Sequence, residues 1–177
     1  MFLLAILGKG GNPALAGEDA WTSTGGPPGL VYAVVLDPLT KGVLYIGTAT
    51  AGVFKSTDSG QSWVSMNQGL GTKAVFSLAL DPAHPNTLYA GTNLGVYRSE
   101  DGALSWSDAS SGILRDPFGS AYVYTLVVDP RQPSTLYAGT LMGVFKSQDR
   151  GLTWQEKNTG LRIGLRPAVG ALAQRRA

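Results

Sequence analysis

From residue 31 onward the apolar positions come in short runs separated by turn-forming residues. Val31 to Leu36 is a continuous, β-branched apolar run ended by Asp37-Pro38, the pattern of a buried inner strand closed by a turn that proline enforces. Three more short segments follow, "LYIGT", "GVFKS" and "SWVSM", joined by residues that favour turns. The same order returns twice, in "VFSLALDPAHPNTLYAGTNLGVYRSEDGALSWSDA" and "VYTLVVDPRQPSTLYAGTLMGVFKSQDRGLTWQEK". Equivalent aspartates Asp37, Asp81 and Asp129 stand 44 and 48 residues apart, and Trp63, Trp106 and Trp154 stand 43 and 48 apart. That period suits one four-stranded propeller blade, for which about 40 to 50 residues is usual. A single blade cannot bury its own apolar surface, so neighbours must stack face to face. The predicted class is an all-β propeller of four-stranded blades.

Each unit also carries an acidic stretch between its third and fourth segments. "STDSGQSW" (Ser56, Asp58, Gly60, Trp63) and "SQDRGLTW" (Ser147, Asp149, Gly151, Trp154) fit the pattern S-x-D-x-G-x-[S/T]-W in full. The middle copy, "SEDGALSW", keeps Ser99, Asp101, Ser105 and Trp106 but has Gly102 one place early and Ala103 where glycine belongs, so its turn is expected to differ. This pattern resembles the Asp-box, or bacterial neuraminidase repeat. Propellers with such repeats include sialidases, xyloglucan-active glycoside hydrolases, sortilin-like receptors and factors that assist photosystem assembly, so the resemblance implies a fold more than a function. In sialidases the Asp-box turn lies away from the active site.

The motif residues have structural tasks on their own chemistry. A short carboxylate in a turn accepts hydrogen bonds from that turn's amides. Glycine supplies the positive φ the turn needs. Tryptophan then brings a large apolar surface and an indole N–H that needs an acceptor. The acidic stretch reads as building material.

The repeats give blades at residues 31–66, 75–109 and 122–158, inside one domain spanning 1–177. Segment 1–25 can be laid on the later strands of a degenerate unit, with Trp21 opening its last strand, and "AVGALAQ" near the C-terminus resembles "AVFSLAL". Residues 1–25 and 165–177 together would then form a fourth blade that closes a ring. The alternatives are a half ring completed by a second chain and a piece of a longer protein. Phe2 to Leu7 with Ala14-Leu15-Ala16 also reads as a secretory signal, although the apolar run of six residues is short and no basic residue precedes it.

Composition narrows the chemistry. In 177 residues there are 24 glycines, 10 prolines and 15% charged residues, which disfavours helical bundles and favours short strands joined by turns. The net charge of +2 gives no footprint for nucleic acid, and no apolar run reaches the ~18 residues of a spanning helix. With no cysteine and a single histidine, His84 in a proline-flanked turn, neither a metal site nor a cofactor is expected.

Candidate binding residues are those unique to one copy. Strand polarity puts the connections between second and third strands, and between successive blades, on one end of the propeller, opposite the acidic turns. The longest of these, Ser110 to Tyr122, brings Arg115, Asp116, Phe118 and Tyr122, charge and aromatic surface suited to sugar stacking or a protein hot spot. Its bland reading is a loop that packs its own Phe118. Leu94, Leu141 and Met142 are apolar loop residues that either form an exposed patch for a protein or plug the central channel.

No catalytic residues are assigned. The arginine cluster, tyrosine nucleophile and acid of sialidases cannot be placed, and six of the twelve acids are repeat positions. Of the rest only Asp116 lies on a distinctive loop, whereas glycoside hydrolysis needs a facing pair. The expectation is therefore an exported, non-catalytic scaffolding propeller, periplasmic or extracellular, that docks onto a protein assembly. The alternative is a fragment of a sialidase- or xyloglucanase-like glycoside hydrolase, or of a lectin, that binds carbohydrate.

Overall fold

The computed structural model describes Pro27 and residues 29–161. The expected fourth blade, built from 1–25 and 165–177, lies outside the described residues, as does the segment read as a secretory signal. Among the described residues twelve strands form three antiparallel sheets, each a meander of four. The first contains β1 (Val31–Leu36), β2 (Leu44–Thr48), β3 (Val53–Ser56) and β4 (Val64–Ser65). The second contains β5 (Val75–Leu80), β6 (Leu88–Thr92), β7 (Val96–Ser99) and β8 (Ser107–Asp108). The third contains β9 (Val123–Val128), β10 (Leu136–Thr140), β11 (Gly143–Ser147) and β12 (Gln155–Glu156). First strands of neighbouring sheets lie side by side, β1 against β5 and β5 against β9, which makes them the inner strands.

The core sits between sheets. Tyr45 and Leu70 of the first pack with Val75, Leu78, Leu88, Ala90 and Trp106 of the second. Tyr89 and Ile113 of the second pack in the same way with Val123, Leu126, Leu136, Phe145 and Trp154 of the third. Face-to-face burial of this kind removes apolar area that a lone sheet would leave in water, at roughly 25 cal/mol per Å².

The fourth strands are only two residues long, and the tryptophans that precede β8 and β12 bond backward to the sheet before them. The amide of Trp106 donates to Gln68 O at 2.9 Å and that of Trp154 to Ser111 O at 2.8 Å, both in the preceding sheet's exit loop. Their indoles donate backward as well, Trp106 Nε1 to Met66 O and Trp154 Nε1 to Ala109 O, each at 2.8 Å. The residue that begins the fourth segment therefore joins two sheets instead of extending its own. Gly69 and Gly112 make the close approach possible: at φ +75° and +92°, a Cβ on either would lie 2.2 Å from the carbonyl oxygen of Trp106 or Trp154.

Each inner strand carries one irregularity near its start. Val31 pairs with Thr48 and Ala33 with Gly47, so Tyr32 is the extra residue of a bulge. Phe76 and Tyr124 are skipped in the same manner in β5 and β9.

Candidate functional site

The three bulges aim three aromatic side chains toward one another. The Tyr32 and Phe76 ring centroids are 5.9 Å apart, and those of Phe76 and Tyr124 are 5.7 Å apart. Tyr122, the residue before β9, joins them at 6.1 Å from Phe76 and 6.0 Å from Tyr124. Four rings thus form one row across three sheets. About half of the Tyr32 and Tyr124 surface stays open to solvent. A bulge adds a residue without shifting the rest of the strand, so the core register survives while one ring is turned out of it.

The row lies at the end of the sheets where chains enter the inner strands, beside the loop from Ser110 to Tyr122. That loop is tied down through its own polar groups. Arg115 Nη1 donates to Leu94 O at 3.2 Å and to Gly119 O at 3.0 Å. Asp116 Oδ1 accepts from the amides of Phe118 and Ser120 at 2.9 and 2.8 Å. Ala121 pairs with Leu94 in an isolated bridge. Phe118 does not pack on its loop, being 93% exposed, and it takes no part in the aromatic row. An open cleft of about 440 Å³ beside the loop is lined by Asp108, Ser111, Arg115 and Leu152 among others.

Leu94 and Met142 pack against the cores of the first and second interfaces, and Leu141 is half-buried. They form no exposed patch. Of the residues singled out in the sequence, the structure joins Tyr122 to the aromatic row and uses Arg115 and Asp116 to hold the neighbouring loop. Tyr32, Phe76 and Tyr124 were not singled out. The available signal was an aromatic residue at the second position of all three inner strands.

The acidic turns occupy the opposite end, against the turns that follow the inner strands: Ser59 N donates to Gly42 O, Gly102 N to Asn86 O and Arg150 N to Ser134 O. In the first, Ser56 Oγ donates to Asp58 Oδ1 at 2.7 Å and accepts from Gly60 N at 2.8 Å. The Asp58 carboxylate also accepts from the Ser62 amide and hydroxyl. Asp101 and Asp149 repeat this with Ser99 and Ser105, and with Ser147 and Thr153. Hydrogen bonds from Ser62, then Ser56, lower the Asp58 pKa to about 2, and those from Ser105, then Ser99, lower Asp101 to about 2. Burial pushes Asp149 upward, but the bonds from Thr153 and Ser147 outweigh it and the net shift is down.

The middle turn does not differ as the shifted glycine suggested. Gly102 and Ala103 have φ of 72° and 71°, the same left-handed pair as Ser59 and Gly60 (62°, 91°) and Arg150 and Gly151 (59°, 81°). Ala103 accepts the strain because its amide is held by Ser99 Oγ at 2.9 Å and its methyl is fully buried. His84 lies at this end too, its Nδ1 3.3 Å from Asp81 Oδ2. Among the described residues no three His, Asp or Glu side chains are grouped to hold a metal ion, and there is no helix long and apolar enough to cross a membrane.

No family model matches the chain. A xyloglucanase of Hypocrea jecorina is 29% identical over 97 residues, which cover 51% of this chain and 11% of that protein. Among solved structures, the GH74 enzyme of Niastella koreensis aligns with TM-score 0.59 and 27% identity, over 71% of this chain and 22% of its own. The extracellular domain of a Bacteroides protein (B. thetaiotaomicron), assigned to a one-component system, aligns with TM-score 0.61 at 18% identity, over 77% of this chain and 18% of its own, a likeness of fold alone. These neighbours agree with an all-β propeller. They overturn the expectation of a non-catalytic scaffold docking onto a protein assembly, since the sequence relatives are glycoside hydrolases. The chain spans about a tenth of the length of the curated relatives it matches and is similar to one section of a glycoside-hydrolase propeller.

Proposed function

We propose that this chain is the substrate-gripping section of a glycoside hydrolase acting outside the cell on a xyloglucan-type polysaccharide. The observation that carries the reading is the row Tyr32, Phe76, Tyr122 and Tyr124, three of whose members are aimed by bulges. Aromatic faces hold the C–H faces of sugar rings, and a row spanning several sheets suits several residues of a polymer better than a single small ligand. Likeness to xyloglucanases over half of the chain supports the substrate class. Arg115, Asp116 and Phe118 lie on the loop that leads into Tyr122 and would contact branches of the glycan. Hydrolysis by this route needs two facing carboxylates, and Asp116 is the acid carried by the loop that leads into the row.

Calorimetric titration with xyloglucan oligosaccharides tests it. Tyr124→Ala should weaken binding about tenfold or more, the scale of roughly 1.4 kcal/mol, while a Phe118→Ala change should have a smaller effect. Absence of binding by the unaltered chain, or equal affinity for the Tyr124→Ala variant, would overturn the reading. Release of reducing ends from xyloglucan reports the activity.

A further inference from the structure

Each internal sheet contact has two halves, and the described residues present one further copy of each half with no other described residue packed against it. On the first sheet, Val31 is 48% exposed and Val34 58%, whereas Val75 and Val123 at the first position are fully buried and Leu78 and Leu126 at the second are 7% and 6% exposed. Trp63 is half-buried, and among the described residues its indole has no acceptor of the kind Trp106 and Trp154 find in the sheet before them. On the third sheet, Val127 is 54% exposed and Tyr137 40%, whereas their equivalents Ala79, Tyr89 and Tyr45 are buried.

The exit loop of the third sheet is already shaped to receive a tryptophan. Asn158 Oδ1 accepts from Val144 N at 2.8 Å and its Nδ2 donates to Met142 O at 3.1 Å. Asn67 makes the same two contacts, with Val53 N at 2.8 Å and Ala51 O at 3.0 Å, in the loop that holds Trp106. Asn158-Thr159-Gly160-Leu161 repeats Asn67-Gln68-Gly69-Leu70. Gly160 has φ +84°, like Gly69 at +75°, but no described residue lies within 4 Å of its Cβ position, and Leu161 is exposed where Leu70 is buried. An open cleft of about 450 Å³ is lined by Glu156, Asn158, Thr159 and Leu161.

We infer that the occupant of both faces is a second copy of this chain, joined head to tail. The exit loop 158–161 of one copy holds Trp63 of a second copy, and Val31 and Val34 of that copy cover Val127 and Tyr137. The argument is continuity: the contact uses the residue types and backbone shape that the chain joins twice within itself. Made in both directions, it places six of the described sheets in one ring, inside the usual range of about four to eight blades. The aromatic row that stops at Tyr32 would then be extended by the Tyr124 of a second copy. The pairing rests on sheet packing alone, so it stands or falls separately from the glycan reading.

Light scattering on the purified chain tests this, with Val34→Lys altering one face and Val127→Lys the other at positions open to solvent. The unaltered chain should show the mass of two chains. Either variant alone should fall to one chain, and a mixture of the two should regain two-chain particles, because one intact face of each kind remains. Gly160→Ala is a second way to break the contact without a charge, and circular dichroism checks that every variant keeps its strands. A single-chain mass for the unaltered protein would overturn the pairing and assign the faces to another segment or another protein. So would a two-chain mass that both lysine variants leave unchanged, or a series of growing masses.

Discussion

Replacing Gly112 by alanine should cost far more than the loss of conformational freedom accounts for. At φ +92° an alanine carries roughly 1 to 2 kcal/mol of left-handed strain. Its Cβ would also stand 2.2 Å from Trp154 O, a backbone atom that can retreat only by loosening the sheet contact. Overpacking of that sort costs about 1 to 3 kcal/mol. Retreat would further weaken the two 2.8 Å bonds from Trp154 to Ser111 O and Ala109 O, at roughly 0.5 to 1.5 kcal/mol each. Together these come to about 3 to 8 kcal/mol. Gly119→Ala is the matched control, since Gly119 has φ +83° with nothing within 4 Å of its Cβ position, leaving only the strain of about 1 to 2 kcal/mol. Urea unfolding followed by circular dichroism separates the two. With a slope of about 2 kcal/mol per molar urea, the Gly112 variant should unfold about 1 to 3 M earlier than the Gly119 variant. Equal midpoints would refute the idea that contact between Gly112 and the tryptophan backbone limits how closely the sheets approach.

Trp154→Phe should cost about 1 to 3 kcal/mol in the same assay, because it leaves the buried Ala109 carbonyl without its donor, and an unchanged midpoint would remove the indole bond from the account. Ser147→Ala should cost a similar amount, since the buried hydroxyl both donates to Asp149 Oδ1 and accepts from Gly151 N. Asp58 and Asp101 have folded pKa values near 2, below the ordinary 3.8, so their contribution is present above about pH 4 and lost as the pH falls toward 2. Melting temperatures measured from pH 5 to 2 should therefore decline across that window, and the Asp58→Asn, Asp101→Asn double variant should show a shallower decline.

Much of the fold is legible in the chain because the apolar runs are short and bounded. Val31–Leu36, Val75–Leu80 and Val123–Val128 were readable as inner strands because Asp-Pro closes each of the first two runs and the run of Val123–Val128 runs into Asp129-Pro130. The aromatic row was hidden because a bulge is a matter of pairing: nothing in "VYAVVL" tells that Tyr32 is the residue its neighbour strand skips. A search for residues unique to one copy passes over a shared position that faces outward. The partial burial of Leu94 and Met142 depends on adjacent sheets, so loop position alone left their two alternatives open. In the middle acidic turn, backbone bonds from Ser99 and burial of the methyl override the preference of alanine for negative φ.

The backward reach of tryptophan gives the array a direction that a gene duplication would keep. Every repeat carries the donor for the unit before it and the acceptor for the unit after it, so a duplicated stretch of 44 to 48 codons adds a compatible blade at once. Adding or removing a whole repeat would therefore leave the bonds of every remaining joint in place.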